Sequence, residues 1–100
     1  MSFPELRKAM VDRTFATFGE DAGWTGHAEP VRIRRRVEDD DARLSLSEFR
    51  TRATIFRVRS WEVAAPVIGD IVTPAGGTFR IVEEPSLDVK GVWDCPVVAA

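Results

Sequence analysis

This chain has little of what chemistry usually needs. Its 100 residues include one cysteine, one histidine and two lysines. A lone Cys95 excludes an internal disulfide and any cysteine-rich metal site. Its neighbours Trp93, Pro96 and Val97 mark it as a buried, inert thiol. His27 sits between Gly26 and Ala28 in a loop and reads as structural or solvent-facing. No nucleophile lies beside a base, and no carboxylate pair or metal cluster is evident, so neither catalysis nor a cofactor is expected. Gly76-Gly77 belongs to no strand–GxxxxGK–helix unit. Glu38-Asp39-Asp40-Asp41 lacks the alternating ligands and the glycine of a calcium loop, so no metal is expected there. No apolar run approaches the ~20 residues that span a bilayer, so no membrane partner is expected. Met1 to Glu5 lacks the basic-then-apolar layout of a signal peptide, which points to a cytoplasm-like compartment.

What is present is a globular composition with local charge segregation. One hundred residues, 44% of them hydrophobic, suit a single domain over 1–100 with one modest core. A net charge of -2 and a pI near 5.4 argue against a dedicated nucleic-acid binder. The basic side chains are almost all arginine, Lys8 and Lys90 being the exceptions. Arginine's planar fork suits bidentate contacts at interfaces.

The spacing predicts a helix over 2–18. Ser2 and Glu5 have capping-box spacing, and Pro4 falls in the first turn. Phe3, Leu6, Met10, Val11, Phe15 and Phe18 form a wide apolar stripe, and Gly19 is placed to end the helix in a left-handed conformation. Glu20 to Pro30 reads as a connecting loop that carries Trp24. Val31 to Val37 alternates as a half-buried strand, with Arg35 interrupting its apolar side. A long loop over 39–49 follows, then a strand from Arg50 to Arg59 and a connector with Trp61. Gly69-Asp70-Ile71-Val72 and Gly77 to Val82 read as a hairpin turned by Pro74-Ala75-Gly76-Gly77. Pro85 to Gly91 is turn-rich, and Val92 to Val98 closes the pattern with a last strand. The fold class this implies is mainly β with one N-terminal helix: a small antiparallel β-barrel or sandwich of about five strands over 31–98. The helix packs on it or on a neighbouring subunit.

Arg32, Arg34 and Arg36 share one strand face, and Arg50, Arg52, Arg57 and Arg59 flank or occupy the next strand. Three readings stay open for them. They line a solvated face paired to Glu38–Asp41 or Asp88, they form an inter-subunit seam, or they contact DNA phosphates. Trp24 and Trp61 are interface anchors or core plugs. The 39–49 loop, with Asp39, Asp40, Asp41, Leu44, Leu46 and Phe49, is a candidate channel or docking loop.

The Phe3-to-Phe18 helix, Val31-Arg32-Ile33-Arg34 with its acidic loop, the "GD…G…aromatic-x-V" hairpin over 69–82 and the final strand together resemble a known group. They are similar to the head–tail joining proteins, also called head-completion, connector or stopper proteins, of long-tailed bacteriophages and gene transfer agents. The resemblance implies a structural virion protein at the neck, assembled in the bacterial host cytoplasm. It implies a ring of typically about six copies between the portal–adaptor complex and the tail terminator or tail tube, closing or lining the DNA exit channel. Arg32, Arg34, Arg36, Arg57 and Arg59 are then candidates for the subunit interface. A tail terminator or tail-completion protein is the nearest alternative; from another class, a small β-barrel nucleic-acid-binding module. The chain stops at Ala100 without a long tail, so no C-terminal arm contact is expected.

Overall fold

The computed structural model describes residues 2–38 and 53–100. Asp39, Asp40, Asp41, Leu44, Leu46, Phe49, Arg50 and Arg52 lie outside the described residues. The helix, α1 (Phe3–Phe18), forms as its spacing predicts. The Ser2 hydroxyl accepts from the Glu5 backbone N–H at 3.3 Å, and the Glu5 carboxylate accepts from the Ser2 N–H at 3.2 Å. Gly19 ends the helix, but in extended backbone (φ -85) rather than left-handed, because the chain runs straight into a strand. Glycine is needed there for closeness. A Cβ would collide with the Phe15 carbonyl and lie 3.0 Å from both Arg32 Cγ and the Ile33 carbonyl oxygen.

Seven strands follow: β1 (Glu20–Trp24), β2 (Val31–Glu38), β3 (Ala53–Arg59), β4 (Ile71–Pro74), β5 (Phe79–Ile81), β6 (Ser86–Leu87) and β7 (Val92–Ala99). The neighbours run β3-β2-β1-β4-β5-β7, and β7 pairs back onto β3, so six strands close a barrel and β6 adds to the flank of β7. Every pairing is antiparallel. The β3–β7 closure runs from Thr54↔Val97 to Arg59↔Val92. Inside lie Ala22, Trp24, Val31, Ile33, Phe56, Val58, Val63, Val72, Ile81, Cys95 and Val97. Closure leaves the six barrel strands no open edge.

The mainly-β barrel with an N-terminal helix is therefore present, with two strands more than the sequence reading counted. Glu20 to Trp24 is β1 and not a connecting loop. Its inward signal is only Ala22 and Trp24, too few residues to establish a period of two. What makes it a strand is pairing with β2 on one side and β4 on the other. Ser86-Leu87 is likewise legible only through its partner, β7. Trp24 is a core residue; its indole N–H donates to Asp70 Oδ2 at 3.2 Å. The same Asp70 oxygen accepts from the Val67 backbone N–H at 3.1 Å, while Gly69 takes φ +98 and Gly76 takes φ +89. The Gly-Asp pair thus ties the β3–β4 connection to the inside of the barrel.

Candidate functional site

The alternation of β2 and β3 decides which side chains leave the barrel. Val31, Ile33, Phe56 and Val58 point in. Arg32, Arg34, Arg36, Arg57 and Arg59 fall on the opposite, outer face, so the structure brings all five sequence candidates together. Arg35 is on the inward side at the barrel mouth. Its guanidinium lies 5.5 Å from the Phe56 ring centroid and 5.6 Å from that of Phe79, two rings packed edge to face. Glu20 meets it with both oxygens, at 2.9 and 3.1 Å. An arginine on an apolar face is tolerated because the charge is stacked and paired.

The outer arginine face is not open: α1 lies on it. Val11 and Phe15 of the helix bury against Val92 in a small second core. Arg32 donates to the Phe15 and Ala16 carbonyls at 3.1 and 3.2 Å in the last turn of the helix, where the Phe15 carbonyl also accepts from the Gly19 N–H at 2.8 Å. Its third partner is Asp21, at 3.1 Å. Arg59 reaches Asp12 of the helix at 2.9 Å and Glu62 at 2.6 Å, and stacks over Phe15 at 5.0 Å. Trp61 donates its indole N–H to the same Asp12 oxygen at 2.9 Å, so this tryptophan clasps the helix. Arg57 pairs with Asp94 at 2.8 Å and with Asp88 at 2.9 Å; Arg36 lies 3.8 Å from Asp94. Asp88 is one end of a turn, its other oxygen accepting from the Lys90 and Val92 backbone N–H groups. Pairing with Asp88 belongs to one of the three readings left open above. The helix packs on the barrel, one of the two placements expected for it, but that it covers the arginine face was missed, as were the acids Asp12 and Asp94. Alternation reveals which side chains share a face but not what packs across it.

Between α1 and the barrel the cover is incomplete. A cleft of about 150 Å³ opens there, lined by Arg7, Met10, Val11, Thr14, Phe15, Arg34, Arg57, Lys90 and Val92. Arg34 reaches the Phe18 ring at 5.6 Å, and Arg7 bonds the Val89 carbonyl at 2.9 Å. Among the described residues, no carboxylate pairs with Arg7, Arg34 or Lys90. Beside the cleft α1 leaves Phe3, Leu6, Met10 and Phe18 exposed, and Val89 next to them is 87% exposed. Apolar side chains that cluster in this way mark an interaction surface.

Cys95 is fully buried in the barrel, and burial, with smaller contributions from Asp94 and Asp70, pushes its thiol up to about 12. Among the described residues no three His, Cys, Asp or Glu side chains converge as metal ligands would, and no helix is long and apolar enough to cross a membrane.

A closed small barrel carrying a clamped helix, a basic cleft and an exposed apolar stripe defines a binding and structural scaffold. Residues 3–97 match the phage head-tail attachment protein family, and the chain belongs to that family. Membership makes it a structural protein of phage head–tail joining, with a place at the virion neck. No curated protein matches the chain.

Proposed function

We propose that the chain is a connector or stopper subunit: about six copies form a ring between the portal–adaptor complex and the tail, around or across the DNA exit channel. The observation that carries this reading is the surface of α1. A helix whose inward side is already docked still exposes Phe3, Leu6, Met10 and Phe18, at 48–70% of their possible area. A monomeric chain of this size gains nothing from that exposure; a ring that buries it does. The outer arginines support a seam in a narrowed form. Arg32, Arg57 and Arg59 serve mainly to hold the helix and the β6–β7 turn, while Arg34 stands in the cleft facing outward.

The reading is tested by leaving the chain out. Particles assembled without it should separate into DNA-filled heads and free tails of normal length, and added protein should act on the heads. Co-purification with free tails instead would make it a tail terminator. Salt-dependent DNA binding by the isolated chain, lost with Arg32, Arg34 and Arg36, would favour a nucleic-acid-binding module.

A further inference from the structure

We propose that the cleft and the exposed stripe of α1 receive the opposite side of the barrel of the adjacent copy, with Glu83 and Glu84 meeting Arg34 and Lys90 and with Val67 and Ile68 lying against Met10. This rests on the ring reading and names the contact that closes the ring.

The cleft asks for a particular chemistry. Arg7, Arg34 and Lys90 line it without a carboxylate partner among the described residues, and Met10, Val11 and Phe15 make its helix wall apolar. An occupant must therefore bring carboxylates that are still free, with apolar side chains beside them. Most acids of the described residues are taken. Asp12, Glu20, Asp21, Glu62, Asp70, Asp88 and Asp94 accept from donors of their own chain, and Glu5 caps α1. No donor among the described residues reaches the carboxylate of Glu29, Glu83 or Glu84. Glu29 stands singly, and no large apolar side chain is exposed in its loop, 25–30. Glu83 and Glu84 are adjacent and both exposed.

The apolar side chains the cleft asks for are beside them. The Gly69 N–H donates to the Ile81 carbonyl at 2.9 Å and the Ile81 N–H to the Asp70 carbonyl at 3.0 Å, so the chain entering β4 lies against the chain leaving β5. Val67 and Ile68 come just before that pairing, Glu83 and Glu84 just after it. Both aliphatic side chains are more than half exposed. Arg80 is the nearest cation in sequence, and the stretch from β5 to β6 stays acidic, two charges to one.

Topology sets the two surfaces apart. The cleft uses the outer face of β2 and β3, through Arg34 and Arg57. In the closed order β3-β2-β1-β4-β5-β7, β4 is three places from β3 and β5 is three places from β2. The β4–β5 hairpin therefore stands across the barrel from the cleft. A basic-apolar surface and an acidic-apolar surface so placed cannot satisfy each other within one copy. Between copies they meet head to tail, which is the geometry of a closing ring. Charge also fixes the direction, because a copy turned round would set acid against acid.

Cysteines on both surfaces test the contact. M10C is combined in turn with V67C and with I68C in full-length chains, and joined particles are oxidised and run without reductant. The expected result is a ladder of covalent multimers from at least one double variant and monomers from every single variant. Cys95 is buried and does not contribute. Dimers from M10C alone would mean that two α1 stripes face each other; they overturn the proposal, and so does the absence of any cross-link. In parallel, R34E/K90E should lower head–tail joining at least about tenfold, and adding E83R/E84R to the same chain should restore it. Unchanged joining, or a loss that the reversal does not repair, also overturns it. Electron microscopy of the neck of unsubstituted particles reads the ring independently: a ring of this chain with no cysteine ladder sinks this contact alone, and no ring sinks the ring reading as well.

Discussion

Arg59 shows how much one side chain does on the outside of this barrel. It joins β3 to α1 through Asp12, to the following turn through Glu62, and to Phe15 through its ring face. Arg59→Ala should lower unfolding free energy in urea by about 2 kcal/mol, the Asp12 share being reduced because that carboxylate is half open to solvent. Asp70 is the comparable residue on the inside. Asp70→Ala strands the Trp24 indole N–H and the Val67 N–H, a cost of about 1–3 kcal/mol, whereas Asp70→Asn, whose amide oxygen still accepts, should lose less. Cys95 gives a pH signature. Its thiol is pushed from 9.0 to about 12, so below pH 9 folded and unfolded chains are both protonated. Between those values the unfolded chain gives up a proton that the folded chain keeps, and stability falls as pH rises. Cys95→Val should flatten that alkaline slope in denaturation curves taken at successive pH values, and a thiol reagent should leave Cys95 unmodified until the protein unfolds. The burial of this thiol and the Ser2–Glu5 cap were both legible in the sequence, because each is set by immediate neighbours.

At the scale of elements, α1 is the instructive case. Its periodicity gives a wide apolar stripe but not the part of the stripe that faces the barrel. The structure divides it: Val11 and Phe15 go in, while Phe3, Leu6, Met10 and Phe18 stay out. Which half docks is decided by Arg32, Arg59 and Trp61, residues far away in sequence. For the same reason the covered arginine face, β1 and β6 escaped a reading by local pattern. The junction between α1 and β1 has its own test. Gly19→Ala drives a methyl group into the Phe15 carbonyl at a place where backbone, not a flexible side chain, must yield. A loss of about 1–3 kcal/mol is expected in thermal or urea unfolding. Met10→Glu makes the opposite point. Met10 is 63% exposed, so the isolated chain should unfold within about 0.5 kcal/mol of the unsubstituted one, while head–tail joining in particles should drop.

For the whole molecule, the closed barrel buries the main core, while among the described residues the exposed apolar stripe and the basic cleft lie on α1 and where it meets the barrel. Electron microscopy of particles assembled without this chain tests this account most directly. Normal-length free tails beside DNA-filled heads, joined again when purified protein is added, are the result it predicts. Joined particles in the chain's absence, or tails of uncontrolled length, would contradict it.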